Sequence, residues 1–167
     1  MHIRLFLPND AEALTALLHA AYAELGARGL NFTAVDQDAA TTLQRASAGQ
    51  CWIMEDDAQR PIATLTMSYP PSQGIRELTP EARQEHCAWL NQLAVCPQHR
   101  GQGLARQLWQ TGKAWARAQG AHSIGLDTAL PATHLIALYA NWGFVQRDTI
   151  HWPGKTYDSA VMILQSI

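Results

Sequence analysis

A loop with two glycines one residue apart, set between an apolar run and a helical pattern, constrains this chain more than any other feature. The apolar run ends at Val95, and Gly101 and Gly103 precede a helical pattern that starts at Leu104. The N-terminus of a helix presents backbone N–H groups without intrahelical partners, and the helix dipole makes that end positive. Glycine permits positive φ and leaves no Cβ in front of the backbone. The loop therefore predicts a site for a phosphate or diphosphate group.

Two common nucleotide-binding motifs do not fit the spacing of this loop. A P-loop needs four residues between its glycines and then Gly-Lys-Ser/Thr, a pattern that the sequence lacks. A dinucleotide fingerprint needs a small residue three positions after its second glycine, where this chain has Arg106. It also needs an acidic residue about twenty positions further on, for which Asp127 is the candidate. Both motifs are excluded on spacing.

The loop instead resembles the acetyl-coenzyme A signature of the GNAT superfamily of N-acetyltransferases. That signature is Gln or Arg, two residues, Gly, one residue, then Gly or Ala, which Gln98, Gly101 and Gly103 satisfy. A second segment, Leu-Ile-Ala-Leu-Tyr-Ala-Asn-Trp-Gly-Phe at 135–144, resembles the later helix-to-strand segment of the same superfamily. Together the two segments make the whole chain similar to this superfamily.

Composition argues against several other classes of protein. With 167 residues, of which 47% are hydrophobic and 16% charged, the chain is expected to fold as one domain over residues 1–167. A formal net charge of −2 without a Lys/Arg run argues against a nucleic-acid partner. No apolar stretch reaches the roughly 18 residues of a membrane span, so no membrane partner is expected. The N-terminus does not resemble a signal peptide and the three cysteines lack close pairing, so a cytoplasmic location is expected.

Periodicity predicts strands that alternate with helices. Predicted strands cover residues 3–7, 51–54, 62–69, 87–95, 123–126, 145–152 and 160–164. The first predicted helix starts at a capping box of Asn9 and Glu12 and ends at Gly26. The other predicted helices cover residues 36–48, the segment from the glycine loop to Gly120, and residues 133–141, with a short helix at 79–86. This order favours a layered α/β or α+β domain with a mixed sheet. The resemblance implies a GNAT-like fold, with a mostly antiparallel sheet of about seven strands and about four helices.

The resemblance also implies acetyl-CoA as the co-substrate and assigns residues to its binding. The strand before the loop would separate from its neighbour, and its exposed backbone would pair with the pantetheine arm. The main-chain N–H groups of the loop would bind the diphosphate. The residues implied are Leu93, Ala94, Val95, Gln98, His99, Arg100, Gly101, Gln102, Gly103, Leu104, Ala105 and Arg106.

Two residues are candidates for the chemistry of acetyl transfer. The resemblance implies that Tyr139 is the general acid, since a phenol with a pKa of about 10 is protonated at neutral pH and can donate to a thiolate. The alternative is a core tyrosine on the apolar face of its helix. Asp127, at the end of a predicted strand, is favoured as a base or as an anchor for a cationic amine; the alternative is a residue that caps local backbone. Ala132 stands where the superfamily often has an asparagine that contacts the cofactor.

No metal site is expected from the histidines and cysteines. His86, Cys87, Cys96 and His99 contain one Cys-x-x-His pair without a second pair at matching spacing. Adjacent residues of a strand point to opposite faces, so His86 and Cys87 would not share one metal ion. Tryptophans are more often core residues than cofactor-binding residues, although Trp89 and Trp152 are candidates for lining an acceptor pocket.

The resulting hypothesis is transfer of acetyl from acetyl-CoA to a primary amine of a small molecule or peptide. Direct attack in a ternary complex is favoured, because Cys96 has no evident activating base. Transfer of a longer acyl group, transfer to oxygen, an acetyl-CoA sensor without turnover and a nucleotide-binding module stay open as alternatives. The resemblance is compatible with a homodimer.

Overall fold

Strands and helices alternate along the chain in the computed structural model, which describes residues 1–167. The strands are β1 (His2–Leu5), β2 (Gln50–Glu55), β3 (Pro61–Ser68), β4 (Cys87–Val95), β5 (Ser123–Ala129), β6 (Val145–Ile150) and β7 (Ser159–Gln165). The helices are α1 (Ala11–Ala27), α2 (Ala39–Ser47), α3 (Gln73–Leu78), α4 (Leu104–Ala118) and α5 (Thr133–Asn141). None of these helices combines the length and the apolar character that crossing a membrane would require.

The strands form one seven-stranded sheet in the order β1-β2-β3-β4-β5-β7-β6. β1 is antiparallel to β2 and β2 to β3, while β7 is antiparallel to both β5 and β6. β4 and β5 are parallel, which requires a crossover connection, and α4 lies between them in the chain. The predicted GNAT-like layered fold with a mixed, mostly antiparallel sheet is confirmed, with five helices in place of about four.

The chain divides into two compact units. The first unit consists of Met1–Met67 and Gln92–Gly112, and the second of Ser68–Asn91 and Lys113–Ile167. β4 and α4 each contribute residues to both units. The expectation of one domain over residues 1–167 stays a prediction.

Helix α1 buries the apolar stripe that its sequence predicts. Leu14 and Leu18 are almost fully buried, and the stripe packs in the first unit against small residues of α2, β2 and β4. Each buried leucine contributes roughly 1.5–3 kcal/mol relative to an exposed one. The buried members of this cluster are Leu14, Leu17, Leu18, Ala21, Ala34, Ala46, Cys51 and Ala94.

The start of α1 differs from the prediction. A 3₁₀ turn at Pro8–Asp10 precedes the helix, and Asp10 rather than Asn9 occupies the N-cap position, so the predicted capping box is wrong. The Asp10 carboxylate accepts hydrogen bonds from the Arg4 guanidinium at 2.7 Å and 2.8 Å and from the Leu7 N–H at 2.7 Å. The Arg4 hydrogen bonds hold the pKa of Asp10 below its usual range. The hydrogen bonds from Arg4 on β1 to Asp10 therefore set the start of α1. A capping rule that considers only neighbouring residues could not detect them.

Helix α4 passes close to β3 within the first unit. A Cβ on Gly112 would lie 2.5 Å from Leu65 Cδ2 and 2.5 Å from Met67 Sδ. Both of these side chains are fully buried, so the glycine is required by the close approach of helix and strand.

The segment between β3 and β4 also differs from the prediction, and the predicted helix at 79–86 is wrong. The helix is α3 at Gln73–Leu78, and a 3₁₀ turn at Pro80–Arg83 follows it. Thr79 is extended, with φ −143° and ψ 139°, because the residue before a proline is disfavoured in the helical region. Pro80 therefore ends α3.

The second unit has its own core on one face of β4, β5, β6 and β7. Trp89 is 1% exposed and its ring lies directly over Gly125, where a Cβ would be 2.1 Å from Trp89 Cζ3. The glycine thus makes room for the largest side chain of this core. The buried members are Ile75, Ala82, Cys87, Trp89, Ile150, Val161 and Ile163.

Candidate active site

The glycine loop joins the end of β4 to the start of α4 within the first unit. Pro97–His99 form a 3₁₀ turn, and α4 begins at Leu104. Gly101 has a φ of 76° and Gly103 a φ of 75°, so the predicted positive φ at both glycines is confirmed. A Cβ at either position would meet nothing within 4 Å, so the backbone conformation rather than crowding requires glycine here.

The backbone N–H groups of this bend are available to a ligand. The Arg100 N–H bonds to the Pro97 carbonyl, and the Gln107 N–H bonds to the Gly103 carbonyl. The structure records no acceptor for the N–H groups of residues 101–106 between them, as expected where the first turn of a helix starts. These donors lie at the positive end of the α4 dipole, in an arrangement that suits an anion. The loop therefore suits a phosphate or diphosphate group.

The side chains at the start of the loop have different surroundings. His99 Nδ1 is buried and has no hydrogen-bond partner, which leaves it available to a bound group. Arg100 instead bonds α1, with Nη2 2.7 Å from the Ala21 carbonyl and Nη1 3.2 Å from Glu24 Oε2. The expected contact of Arg100 with the cofactor stays a prediction, and its visible contacts hold the loop against α1.

The second half of β4 also contacts α1 in the first unit. The Tyr22 hydroxyl donates to the Leu93 carbonyl at 3.1 Å, and Ala94 is buried in the core that α1 covers. Burial raises the pKa of Tyr22, so its phenol is protonated and acts as the donor. Tyr22 was not predicted from the sequence, because a tyrosine on an apolar helix face gives no local signal of a bond to a residue 71 positions later.

The region around α1 and α2 contains a buried polar network in the first unit. Thr42 Oγ1 lies 2.6 Å from Thr15 Oγ1 and 2.7 Å from Gln37 Nε2. Arg45 Nη1 donates to Gln37 Oε1 at 2.6 Å, and His19 Nε2 lies 2.7 Å from the Gln37 carbonyl. These bonds fix Gln37 and Arg45 in place, and neither residue was predicted to have a role.

Asp127 lies on β5 in the second unit and is half-buried. Trp89 Nε1 donates to Asp127 Oδ1 at 3.1 Å, and Trp152 Nε1 donates to Oδ2 at 2.8 Å. The sequence named all three residues as candidates but did not connect them. The structure brings them together.

Tyr139 lies on α5 in the second unit and is 7% exposed. Its ring meets Trp142 edge-on at 5.7 Å between centroids and Phe144 at 6.0 Å. The prediction that the tyrosine belongs to a helix at 133–141 is confirmed. Its role as general acid stays a prediction.

The predicted site residues thus fall into two groups. The structure brings the loop residues and the second half of β4 together in the first unit, and it places Asp127 and Tyr139 in the second. The first group supplies main-chain donors, and the second supplies ionisable side chains.

A family model matches most of the chain. The model described as the acetyltransferase (GNAT) family matches residues 12–144, which is most of the chain and includes both the glycine loop and Tyr139. The chain belongs to the GNAT acetyltransferase family.

A curated relative supports the same family over a shorter stretch. N-acetyltransferase 8B of Rattus norvegicus is 34% identical over 108 residues, which are 64% of this chain and 43% of the relative. The chain therefore spans less than half the length of this relative.

Solved structures share the fold. The ribosomal-protein-S18-alanine N-acetyltransferase from Escherichia coli aligns with a TM-score of 0.72 at 16% identity, covering 99% of this chain and 93% of the other. The structure of yncA from Salmonella typhimurium with its cofactor acetyl-CoA aligns with a TM-score of 0.71 at 20% identity, with coverage of 99% and 93%. At these identities the likeness establishes the GNAT fold.

Proposed function

We propose that this protein is an enzyme that transfers the acetyl group of acetyl-CoA to a primary amine of a small molecule or peptide. The observation that carries the proposal is the run of available N–H donors at 101–106, at the start of α4, in a chain that belongs to the GNAT family. The N-acetyltransferase activity named for the rat relative and the acetyl-CoA held by yncA support it.

The proposed cofactor contacts are mostly main-chain contacts. Within the segment Gln98 to Arg106, residues 101–106 bind the diphosphate through their N–H groups, and the buried Nδ1 of His99 is a further polar contact. The backbone of Leu93–Val95 holds the pantetheine arm as an added strand. Tyr22 occupies one hydrogen-bonding position on Leu93, and a carbonyl oxygen has a second lone pair for another donor.

The proposed chemistry needs an acid and a group that faces the amine. Acetyl-CoA supplies the acetyl group as a thioester, which an uncharged amine can attack directly. Tyr139 donates its phenolic proton to the departing sulfur, because a phenol is a weak acid that can protonate a thiolate. Asp127 faces the amine, as the base that accepts its proton or as the anchor for its cationic form.

Direct attack is proposed in preference to a covalent acyl-cysteine. Cys96 is the cysteine nearest in sequence to the loop, and its thiol donates to the amide oxygen of Gln98 at 2.7 Å, which is not a base. Burial raises the pKa of the Cys51 and Cys87 thiols, which keeps them protonated and unreactive.

The proposal extends to location and assembly. Cys51, Cys87 and Cys96 are all free thiols, which supports a reducing compartment and so the cytoplasm. Family resemblance is the support for a homodimer, which sedimentation of the purified chain would test.

Two measurements test the proposed function. Calorimetry with coenzyme A and acetyl-CoA should detect binding to the purified chain, and preference for ATP or NAD would overturn the assignment. A thiol-release assay should then find turnover with at least one acceptor among polyamines, aminoglycosides, amino acids and peptide N-termini. Tight cofactor binding without release of thiol to any acceptor would favour a sensor instead.

A further inference from the structure

The second half of β4 is paired on one side only. The parallel ladder with β5 ends at the pair Leu90↔Leu126, whereas β4 continues to Val95. On its other side the chain stays attached to β3, because the N–H of Cys96 donates to the Ile62 carbonyl at 2.8 Å. The later residues of β4 therefore present backbone groups along one unpaired edge, and such groups need other hydrogen-bond partners.

The Leu93 carbonyl belongs to this edge and is bonded by a side chain of α1. Successive residues of a strand direct their backbone groups to opposite sides, so Leu93, three residues before Cys96, faces away from β3. The Tyr22 hydroxyl donates to the Leu93 carbonyl at 3.1 Å. The Tyr22 ring lies 5.4 Å from the Phe32 ring between centroids and packs on the buried cluster that contains Ala94. The hydroxyl is therefore a fixed donor to the strand edge.

The same turn of α1 also bonds the glycine loop. Arg100 Nη2 donates to the Ala21 carbonyl at 2.7 Å, and Arg100 Nη1 lies 3.2 Å from Glu24 Oε2. Residues 21–24 of α1, which we call the α1 brace, thus hold both the strand edge at Leu93 and the loop at Arg100. A helical turn is kept rigid by its own backbone hydrogen bonds, so these contacts fix the edge and the loop relative to each other.

We infer that Tyr22 is a positioning residue for the acyl donor, because it holds the β4 edge in the conformation that pairs with the pantetheine arm. Pairing with the arm as an added strand uses an edge that is already extended, since an edge ordered only on binding would cost affinity. A carbonyl oxygen accepts two hydrogen bonds, so Tyr22 orients the Leu93 carbonyl without excluding the arm. This inference rests on the proposed function and adds a residue of α1 to the donor site.

Two ligands that differ only in the pantetheine arm test this role. Coenzyme A has the arm, whereas 3′-phospho-ADP retains the adenosine, the 3′-phosphate and the diphosphate but lacks the arm. In calorimetry, Tyr22→Phe should raise the Kd of coenzyme A about threefold to tenfold and leave the Kd of 3′-phospho-ADP within about twofold of the wild-type value. Arg100→Gln, which loosens the loop instead, should weaken both ligands by a similar factor. Tyr69→Phe, which removes a hydroxyl bonded to the ring of His86, should change neither Kd.

The possible outcomes separate this role from others. An unchanged Kd of coenzyme A in Tyr22→Phe would overturn the positioning role while leaving the proposed function intact. Equal weakening of both ligands would show a general loss of structure, and tighter binding of coenzyme A would show that Tyr22 competes with the arm; either result also overturns the role. The proposed function fails differently, when the wild type itself binds no coenzyme A or releases no thiol with any amine.

Steady-state kinetics distinguish positioning from catalysis by Tyr22. In Tyr22→Phe, KM for acetyl-CoA should rise about threefold to tenfold with kcat unchanged, because the bond from Tyr22 acts on donor binding and not on the transferred proton. A fall in kcat at unchanged KM would contradict the positioning role and mark Tyr22 as an acid.

A further readout needs no ligand. Hydrogen exchange of the backbone amides of residues 92–95 in the free protein should be about threefold or more faster in Tyr22→Phe, because the edge opens locally more often. The amides of β2, in the same unit, should keep their wild-type rates. Unchanged exchange at 92–95, or equal acceleration in β2, would contradict the positioning role.

Discussion

The glycine loop of the first unit and the Asp127 carboxylate of the second unit are built in opposite ways. The loop presents main-chain donors from consecutive residues, and its geometry requires little more than positive φ at Gly101 and Gly103. Asp127 depends on side chains of Trp89, on β4, and Trp152, beyond β6, which lie 38 and 25 residues away from it. A candidate site made of backbone groups can therefore be recognised from a short motif, whereas one made of side chains is defined by tertiary packing.

The two constructions also respond differently to mutation. Apart from substitution to proline, changing a side chain does not remove a backbone donor, so other substitutions alter the loop only through its conformation. A side-chain site loses a defined hydrogen bond when one atom is deleted.

The largest effect is expected where packing fixes the side-chain site. Gly125→Ala should destabilise the protein by about 3 kcal/mol, because the new Cβ would overlap the rigid ring of Trp89. Chemical denaturation measures the loss. In a Trp89→Ala background the same substitution should cost far less, and an equal cost in both backgrounds would show that the ring is not the obstacle.

The next effect concerns the proposed acid. Tyr139→Phe should lower kcat by about 10-fold to 100-fold, the usual size of general acid catalysis, with the Kd of coenzyme A unchanged. Steady-state kinetics and calorimetry together check this split. Tyr69→Phe, a matched loss of a hydroxyl in the second unit, should keep kcat. Full activity in Tyr139→Phe would remove the acid assignment.

A smaller effect is expected when the loop conformation is changed. Gly103→Val and Gly29→Val should each cost about 1–2 kcal/mol of stability, because both glycines have positive φ and open space around the Cβ position. Only Gly103→Val should also weaken coenzyme A binding, by about tenfold, because it displaces the N–H donors of the bend. Calorimetry that gives the same Kd for both variants would count against the loop as the diphosphate site.

The smallest effect is expected for Arg100, whose side chain holds the loop against α1. Arg100→Gln should raise KM for acetyl-CoA by about threefold, because a half-exposed guanidinium contributes modestly. Arg60→Gln, which removes a comparable pairing with Asp56, should leave KM unchanged. A much larger rise in KM for Arg100→Gln would indicate that Arg100 contacts the cofactor directly.

Sequence predicted most of the fold because its elements follow local rules. The α1 stripe, the boundaries of α5 and the glycine loop all depend on periodicity or on backbone conformation within a few residues. The two errors arose where another part of the molecule or a proline intervened, at the start of α1 beside Arg4 and at the end of α3 before Pro80.

The candidate site was predictable to a similar extent. The loop residues and Tyr139 were located by motifs, whereas the bonds of Tyr22 to Leu93 and of the two tryptophans to Asp127 join residues far apart in sequence. No periodicity encodes such pairings. They follow from strand register and from glycines that let rings approach the backbone.

The close approach at Gly112 has a consequence for how affinity for the acyl donor could evolve. Gly112 lies eight positions after Leu104, or about 12 Å along the axis of α4. Any larger residue at 112 must push Leu65, Met67 or the helix itself aside, and a shifted helix carries its first turn with it. Under the proposed function, position 112 is thus a remote place at which selection or engineering can adjust donor affinity while the proposed ligand-contacting residues keep their identity.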